Sequence, residues 1–189
     1  MTASRLGLNL PNLISLGRLL LVPLAISLIL DGSYWVAFWI FVIAGASDAV
    51  DGFIAKRFDR RTRLGALLDP LADKVLLVSV YVTLGFAGQL WTWLVVLVVF
   101  RDIMIVGGFL LIQAIATVPK PFQPLFISKV NTGVQVALVG YVLARRGLGA
   151  DAGLVDLVLS TAVAVTTVIS GITYLVHWAR ILGRSEQAL

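Results

Sequence analysis

The chain has 189 residues, of which 59% are hydrophobic and only 13% charged, with a mean hydropathy of +0.98. That apolarity exceeds what a soluble domain of this size uses and points to an integral membrane protein. The absence of cysteine excludes disulfides and thiolate metal sites, and the net charge of +5 is read as a basic face toward anionic lipid headgroups rather than a nucleic-acid surface.

Hydropathy and turn residues predict an all-α membrane bundle of six spanning helices over roughly 12–31, 34–57, 65–87, 90–117, 125–146 and 152–182. The breaks carry turn chemistry: Asp31-Gly32-Ser33, Gly88-Gln89, Pro119-Lys120-Pro121 and Gly147-Leu148-Gly149. Short loops and the absence of internal repeats predict one domain over 1–189. No cleavable signal peptide is evident at the start. The expected location is a bacterial inner membrane, or an organellar membrane if the chain is a mature core.

The first span opens Pro11-Asn12-Leu13-Ile14-Ser15-Leu16-Gly17-Arg18. Asn12, Ser15 and Arg18 recur every three residues and fall roughly on one helix face. They read either as a helix start with a snorkelling arginine or as polar partners of a site.

The second and third spans hold the most informative feature. Asp48 and Asp51 are three residues apart, and Asp69 and Asp73 four apart, so each pair shares a helix face. Carboxylates inside apolar segments are costly and are functional by default. Four of them aimed at one point suit one hard divalent cation, or two with bridging ligands. The alternative is intramembrane ion pairing with Arg18, Lys74 and Arg101. Gly52, Ala55 and Gly65 fall four residues from an aspartate, and their small side chains leave room for a bulky ligand.

Between these spans, residues 56–63 read KRFDRRTR, the strongest basic cluster, which the positive-inside rule places in the cytoplasm. Both termini then lie there, as do Arg5, Lys120, Arg180 and Arg184. Arg145 and Arg146 fall on the opposite side. Trp35, Trp39, Trp91, Trp93 and Trp178 lie near span ends and predict interfacial belts.

Span four contains the adjacent pair Arg101-Asp102, which need not face the same way on a helix. Span five opens with Ser128, Asn131, Thr132 and Gln135 at i, i+3, i+4 and i+7, one polar stripe with Lys129 beside it. The stripe reads as interhelical glue or as the lining of a pocket. His177 in span six is expected to be interfacial rather than catalytic.

The pattern D-x2-D-G-x2-A-K-x8-G-x3-D-x3-D, from Asp48 to Asp73, resembles the signature of the CDP-alcohol phosphatidyltransferases. One departure is Lys56, where the family usually has arginine; lysine keeps the charge but lacks the bidentate fork. The resemblance implies that Asp48, Asp51, Asp69 and Asp73 hold two divalent metal ions, Mg2+ or Mn2+, with Asp73 also the general base. It implies that Asp48, Asp51, Gly52, Ala55, Lys56, Gly65 and Asp69 bind CDP-diacylglycerol. Asn12, Ser15 and Arg18 match a polar triplet that lies beside the site in many members.

Within the family, Leu68–Val75, Arg101-Asp102 and Phe126-Ile127-Ser128-Lys129-Val130-Asn131-Thr132 look like the CMP-forming cardiolipin synthases, over about residues 10–180. The implied reaction joins CDP-diacylglycerol to phosphatidylglycerol, with Arg101 and Lys129 toward the acceptor phosphate and a homodimeric assembly in the bilayer. Two alternatives stand: a phosphatidylglycerophosphate synthase using glycerol 3-phosphate, and, from a different class, an ion transporter with intramembrane carboxylates.

Overall fold

The computed structural model describes the backbone of residues 10–58, 65–115 and 125–186, and the side chains of 16–47, 74–108 and 125–180. Among the described residues every regular element is helical: α1 (Leu10–Leu30), α2 (Tyr34–Phe58), α3 (Gly65–Phe86), α4 (Thr92–Ile115), α5 (Phe126–Gly147) and α6 (Leu154–Glu186). The Pro119–Pro121 break lies outside the described residues. Among the described residues two segments, Phe126–Gly147 and Leu154–Arg180, are long and apolar enough to cross a membrane, and Leu16–Leu30, Tyr34–Ser47 and Lys74–Phe86 are shorter apolar stretches.

Three of the expected breaks end their helices in the same way. After α5, the Gly149 N–H donates to the Arg146 carbonyl at 3.0 Å and the Ala150 N–H to the Arg145 carbonyl at 3.0 Å. This closure needs a left-handed residue, and Gly149 supplies it at φ 70°. Ser33 closes on Leu28 at 2.8 Å after α1, and Gln89 on Leu84 at 2.8 Å after α3. The start of α6 falls two residues later than expected, where the Gly153 N–H donates to Asp156 Oδ2 at 2.9 Å, the carboxylate half of a capping box.

The chain divides into two compact units: Met1–Leu90 with Val139–Asp151, and Trp91–Leu138 with Ala152–Leu189. In the first unit α1 packs against both α2 and α3. Its buried stripe is Arg18, Val22, Ala25 and Ile29, at i, i+4, i+7 and i+11. Small residues at Ala25, Ala37 and Ala44, all buried, let helices approach closely.

The end of α5 explains the two arginines that run against the charge pattern. Arg145 Nη1 donates to the Ala150 carbonyl at 3.0 Å, and Arg146 lies over the Tyr34 ring, 5.4 Å from its centroid. Both cations sit at a helix C-terminus, where they complement the macrodipole. Their position is thus accounted for by local structure. Beside them, a Cβ on Gly147 would stand 2.8 Å from Trp35 Cα and 2.9 Å from its N. Backbone cannot swing aside, so Gly147→Ala is expected to cost about 1–3 kcal/mol, the usual range for overpacking. Thermal unfolding in detergent checks this, and a variant that melts with the wild type would contradict it.

In the second unit α4 packs on α6. The buried stripe of α6 runs Ser160, Val163, Thr167, Ser170, Tyr174 and Trp178, half of it polar. On its other faces Val165, Ile169, Ile172 and Val176 are exposed and apolar, as lipid requires. Trp35, Trp39, Trp91 and Trp93 are 43–54% exposed, as interfacial residues would be. Trp178 departs from that expectation. It is only 8% exposed, and its ring fills the space where a Cβ on Gly108 would stand.

Candidate active site

Asp48, Asp51, Gly52, Ala55 and Lys56 all lie on α2, which runs unbroken from Tyr34 to Phe58. Gly65, Asp69 and Asp73 lie on α3, which begins at Gly65. Both aspartate pairs therefore hold the helical spacing that puts each pair on one face. Asn12 and Ser15 lie on α1. The side chains of all these residues lie outside the described set.

A described charged residue on the helix packed against both aspartate-bearing helices is Arg18. It is 3% exposed and continues the buried stripe of α1, the helix that packs against both α2 and α3. Burying a guanidinium in an apolar bundle is costly unless anionic or hydrogen-bonding groups surround it. A buried cation on the helix that touches both aspartate-bearing helices suits a carboxylate and phosphate centre. The donor set itself, four carboxylates with no sulfur or imidazole in the motif, fits hard divalent ions.

The second unit holds a polar cluster built from three helices. The Arg101 guanidinium, on α4 and 2% exposed, donates through Nη1 to Asp102 Oδ1 at 2.7 Å. Its Nη2 donates to Ser128 Oγ on α5 at 2.7 Å and to Ser170 Oγ on α6. Its Cζ lies 5.9 Å from the centroid of the Tyr174 ring. The adjacent Arg101-Asp102 pair thus does meet, because the long arginine side chain folds back on its own helix. Nε of Arg101 is buried with no hydrogen-bond partner among the described residues.

Two members of the polar stripe of α5, Ser128 and Asn131, hold helices together. Asn131 is fully buried, and its Oδ1 accepts from Thr166 Oγ1 at 2.8 Å and Thr167 Oγ1 at 3.0 Å on α6. Thr132 Oγ1 bonds back to the Ser128 carbonyl at 3.1 Å. Gln135 is fully buried. The Leu125 N–H, just before α5, donates to the Tyr174 hydroxyl at 3.3 Å. Lys129 is exposed, as is His177.

Sequence reasoning did not single out Thr166, Thr167, Ser170 or Tyr174. The signal was present: polar residues recurring at 160, 167, 170 and 174 in an apolar helix mark one buried face.

Residues 8–179 match the CDP-alcohol phosphatidyltransferase family. The chain belongs to this family. Among its curated relatives, the cardiolipin synthase (CMP-forming) of Rattus norvegicus is 34% identical over 188 residues, covering 91% of this chain and 62% of the relative. A chloroplastic CDP-diacylglycerol–glycerol-3-phosphate 3-phosphatidyltransferase of Oryza sativa is 37% identical, covering 94% of this chain and 59% of the relative. A probable phosphatidylglycerophosphate synthase of Mycobacterium tuberculosis is 30% identical, covering 95% of this chain and 86% of the relative. The chain spans about three fifths of the length of the rat and rice relatives. CDP-alcohol phosphatidyltransferases are membrane-embedded and generally use divalent metals, in keeping with the apolar helices and the carboxylate motif of this member.

Proposed function

We propose that this chain is a CMP-forming phosphatidyltransferase that moves the phosphatidyl group of CDP-diacylglycerol to phosphatidylglycerol, yielding cardiolipin and CMP. The observation that carries the reading is the intact aspartate motif on two continuous helices, both packed against the helix that buries Arg18. Membership of an enzyme family weighs against the ion-transporter alternative.

Asp48, Asp51, Asp69 and Asp73 would hold two divalent ions, Mg2+ or Mn2+. When bound, such ions neutralise diphosphate charge and stabilise the departing CMP. Gly52, Ala55 and Gly65 leave space for the nucleotide, and Lys56 offers a cation to the diphosphate. Asp73 accepts the proton of the acceptor hydroxyl as its oxygen bonds to phosphorus and the bond to CMP breaks. The family resemblance implies direct transfer, and the chain has no cysteine and a single histidine, His177, exposed on α6.

Arg18, with Asn12 and Ser15, is offered to the phosphates. Lys129, exposed near the start of α5, and Arg101 are offered to the acceptor's phosphodiester. The six helices, 21–33 residues long, each match a hydrocarbon core of roughly 30 Å. We read them as six spans of one domain over residues 1–189, in a bacterial inner membrane, with the aspartates facing the cytoplasm and the chain a homodimer. The second reading, phosphatidylglycerophosphate synthesis from glycerol 3-phosphate, is favoured by the 37% identity to the rice relative.

Purified chain in vesicles holding CDP-diacylglycerol and phosphatidylglycerol is expected to release CMP. Chelation should stop the release, and Mg2+ or Mn2+ should restore it. CMP release that is indifferent to chelation would contradict the metal assignment.

A further inference from the structure

Arg146, at the end of α5, carries a charge that no described carboxylate answers. Its guanidinium lies over the Tyr34 ring at the start of α2, with Cζ 5.4 Å from the ring centroid. Nε is buried without a hydrogen-bond partner, and no ion pair reaches the guanidinium among the described residues. The stack fixes where the cation sits but does not neutralise it. Arg145 beside it is engaged differently, donating to the Ala150 carbonyl at 3.0 Å. Asp31, just after α1, and Asp151, just after α5, are exposed, and neither pairs with Arg146. Exposed charges beyond contact distance are largely screened.

The backbone beneath the stack is fixed. A Cβ on Gly147 would meet Trp35 Cα at 2.8 Å, so the end of α5 and the start of α2 form one tight corner. Around it Trp35 is 43% exposed and Leu148 72%. From Trp35 an apolar, outward stripe runs down α2 through Trp39 and Ile43, 49% and 58% exposed, at i, i+4 and i+8. Half-exposed indoles beside exposed aliphatic side chains mark the boundary between headgroups and acyl chains. Along α2, Tyr34 and Asp48 are roughly 21 Å apart at about 1.5 Å per residue, so this corner and the aspartate motif lie toward opposite ends of one helix.

We propose that Arg146, held on Tyr34, binds the phosphodiester of an anionic phospholipid in the leaflet away from the aspartates, at a site separate from catalysis. The planar guanidinium can meet two phosphate oxygens at once, and the single negative charge of the lipid answers the one uncompensated cation. The stripe from Trp35 to Ile43 gives the acyl chains an apolar surface, which free phosphate could not use.

The test titrates purified full chain in detergent with phosphatidylmethanol, a phosphodiester lipid with one negative charge and no hydroxyl to react. Bound lipid per chain is counted by native mass spectrometry. Arg146→Gln is expected to weaken one bound lipid by about tenfold or more, the size of a lost hydrogen bond to a charged group. Tyr34→Leu, which removes the ring but keeps the charge, should weaken it by roughly threefold or more. Inorganic phosphate at the same concentration should not displace the lipid, and CMP release in vesicles should be unchanged in both variants. Equal lipid binding by wild type and Arg146→Gln overturns the proposal. Displacement by inorganic phosphate overturns it too, as does a loss of CMP release in step with the loss of lipid, which would place Arg146 in the catalytic machinery. Should Arg146→Gln not accumulate, Tyr34→Leu carries the test, and unchanged binding there overturns the proposal. The result does not depend on which acceptor the enzyme uses.

Discussion

Replacing any one of Asp48, Asp51, Asp69 or Asp73 by asparagine is expected to abolish CMP release while leaving the chain folded. Asparagine keeps the shape of aspartate but removes the charge that a hard divalent ion requires. No cysteine is available to substitute, and the one histidine lies on α6. Loss of a single group that stabilises transition-state charge costs on the order of a hundred- to a thousandfold in rate, and loss of an ion with its ligand would cost more. For Asp73→Asn the base role adds a separate expectation, that CDP-diacylglycerol still binds. Size-exclusion profiles establish folding, and CMP release with labelled donor reads the chemistry. Near-normal release by the Asp48, Asp51 or Asp69 variant would remove that residue from the metal centre.

Arg101→Ala should have the second largest effect, much of it on stability. The guanidinium ties Asp102 on α4, Ser128 on α5 and Ser170 on α6 into one buried cluster. Its removal takes from Asp102 a cation held at 2.7 Å. Breaking a buried pair by deleting one partner typically costs about 3–5 kcal/mol. Melting in detergent should fall accordingly. The double variant Arg101→Gln with Asp102→Asn, which deletes both charges, should recover much of that loss. A single variant as stable as the wild type would show that the cluster does not hold these helices.

The fold was readable from the sequence where physics is local. Apolar runs located the six described helices, and the three breaks that carry a glycine, after α1, α3 and α5, close as those glycines suggest. The aspartate motif was readable because two fixed spacings on continuous helices leave little freedom. What was not readable depended on tertiary partners. Trp178 near a helix end looks interfacial, yet the missing side chain at Gly108 opens a slot that takes its ring. Arg101 and Asp102 diverge as helix neighbours, and only the reach of a side chain turning back to meet Ser128 and Ser170 as well brings them together. Arg145 and Arg146 obscured the charge asymmetry because a helix end and an aromatic ring, rather than topology, account for them.

The identity of the acceptor is decided most directly by lipid product analysis. Purified full chain in vesicles with labelled CDP-diacylglycerol and Mg2+ is given phosphatidylglycerol or glycerol 3-phosphate in separate reactions. Labelled cardiolipin, with CMP in equal amount, is the result expected from phosphatidylglycerol. Labelled product from glycerol 3-phosphate alone would contradict the assignment.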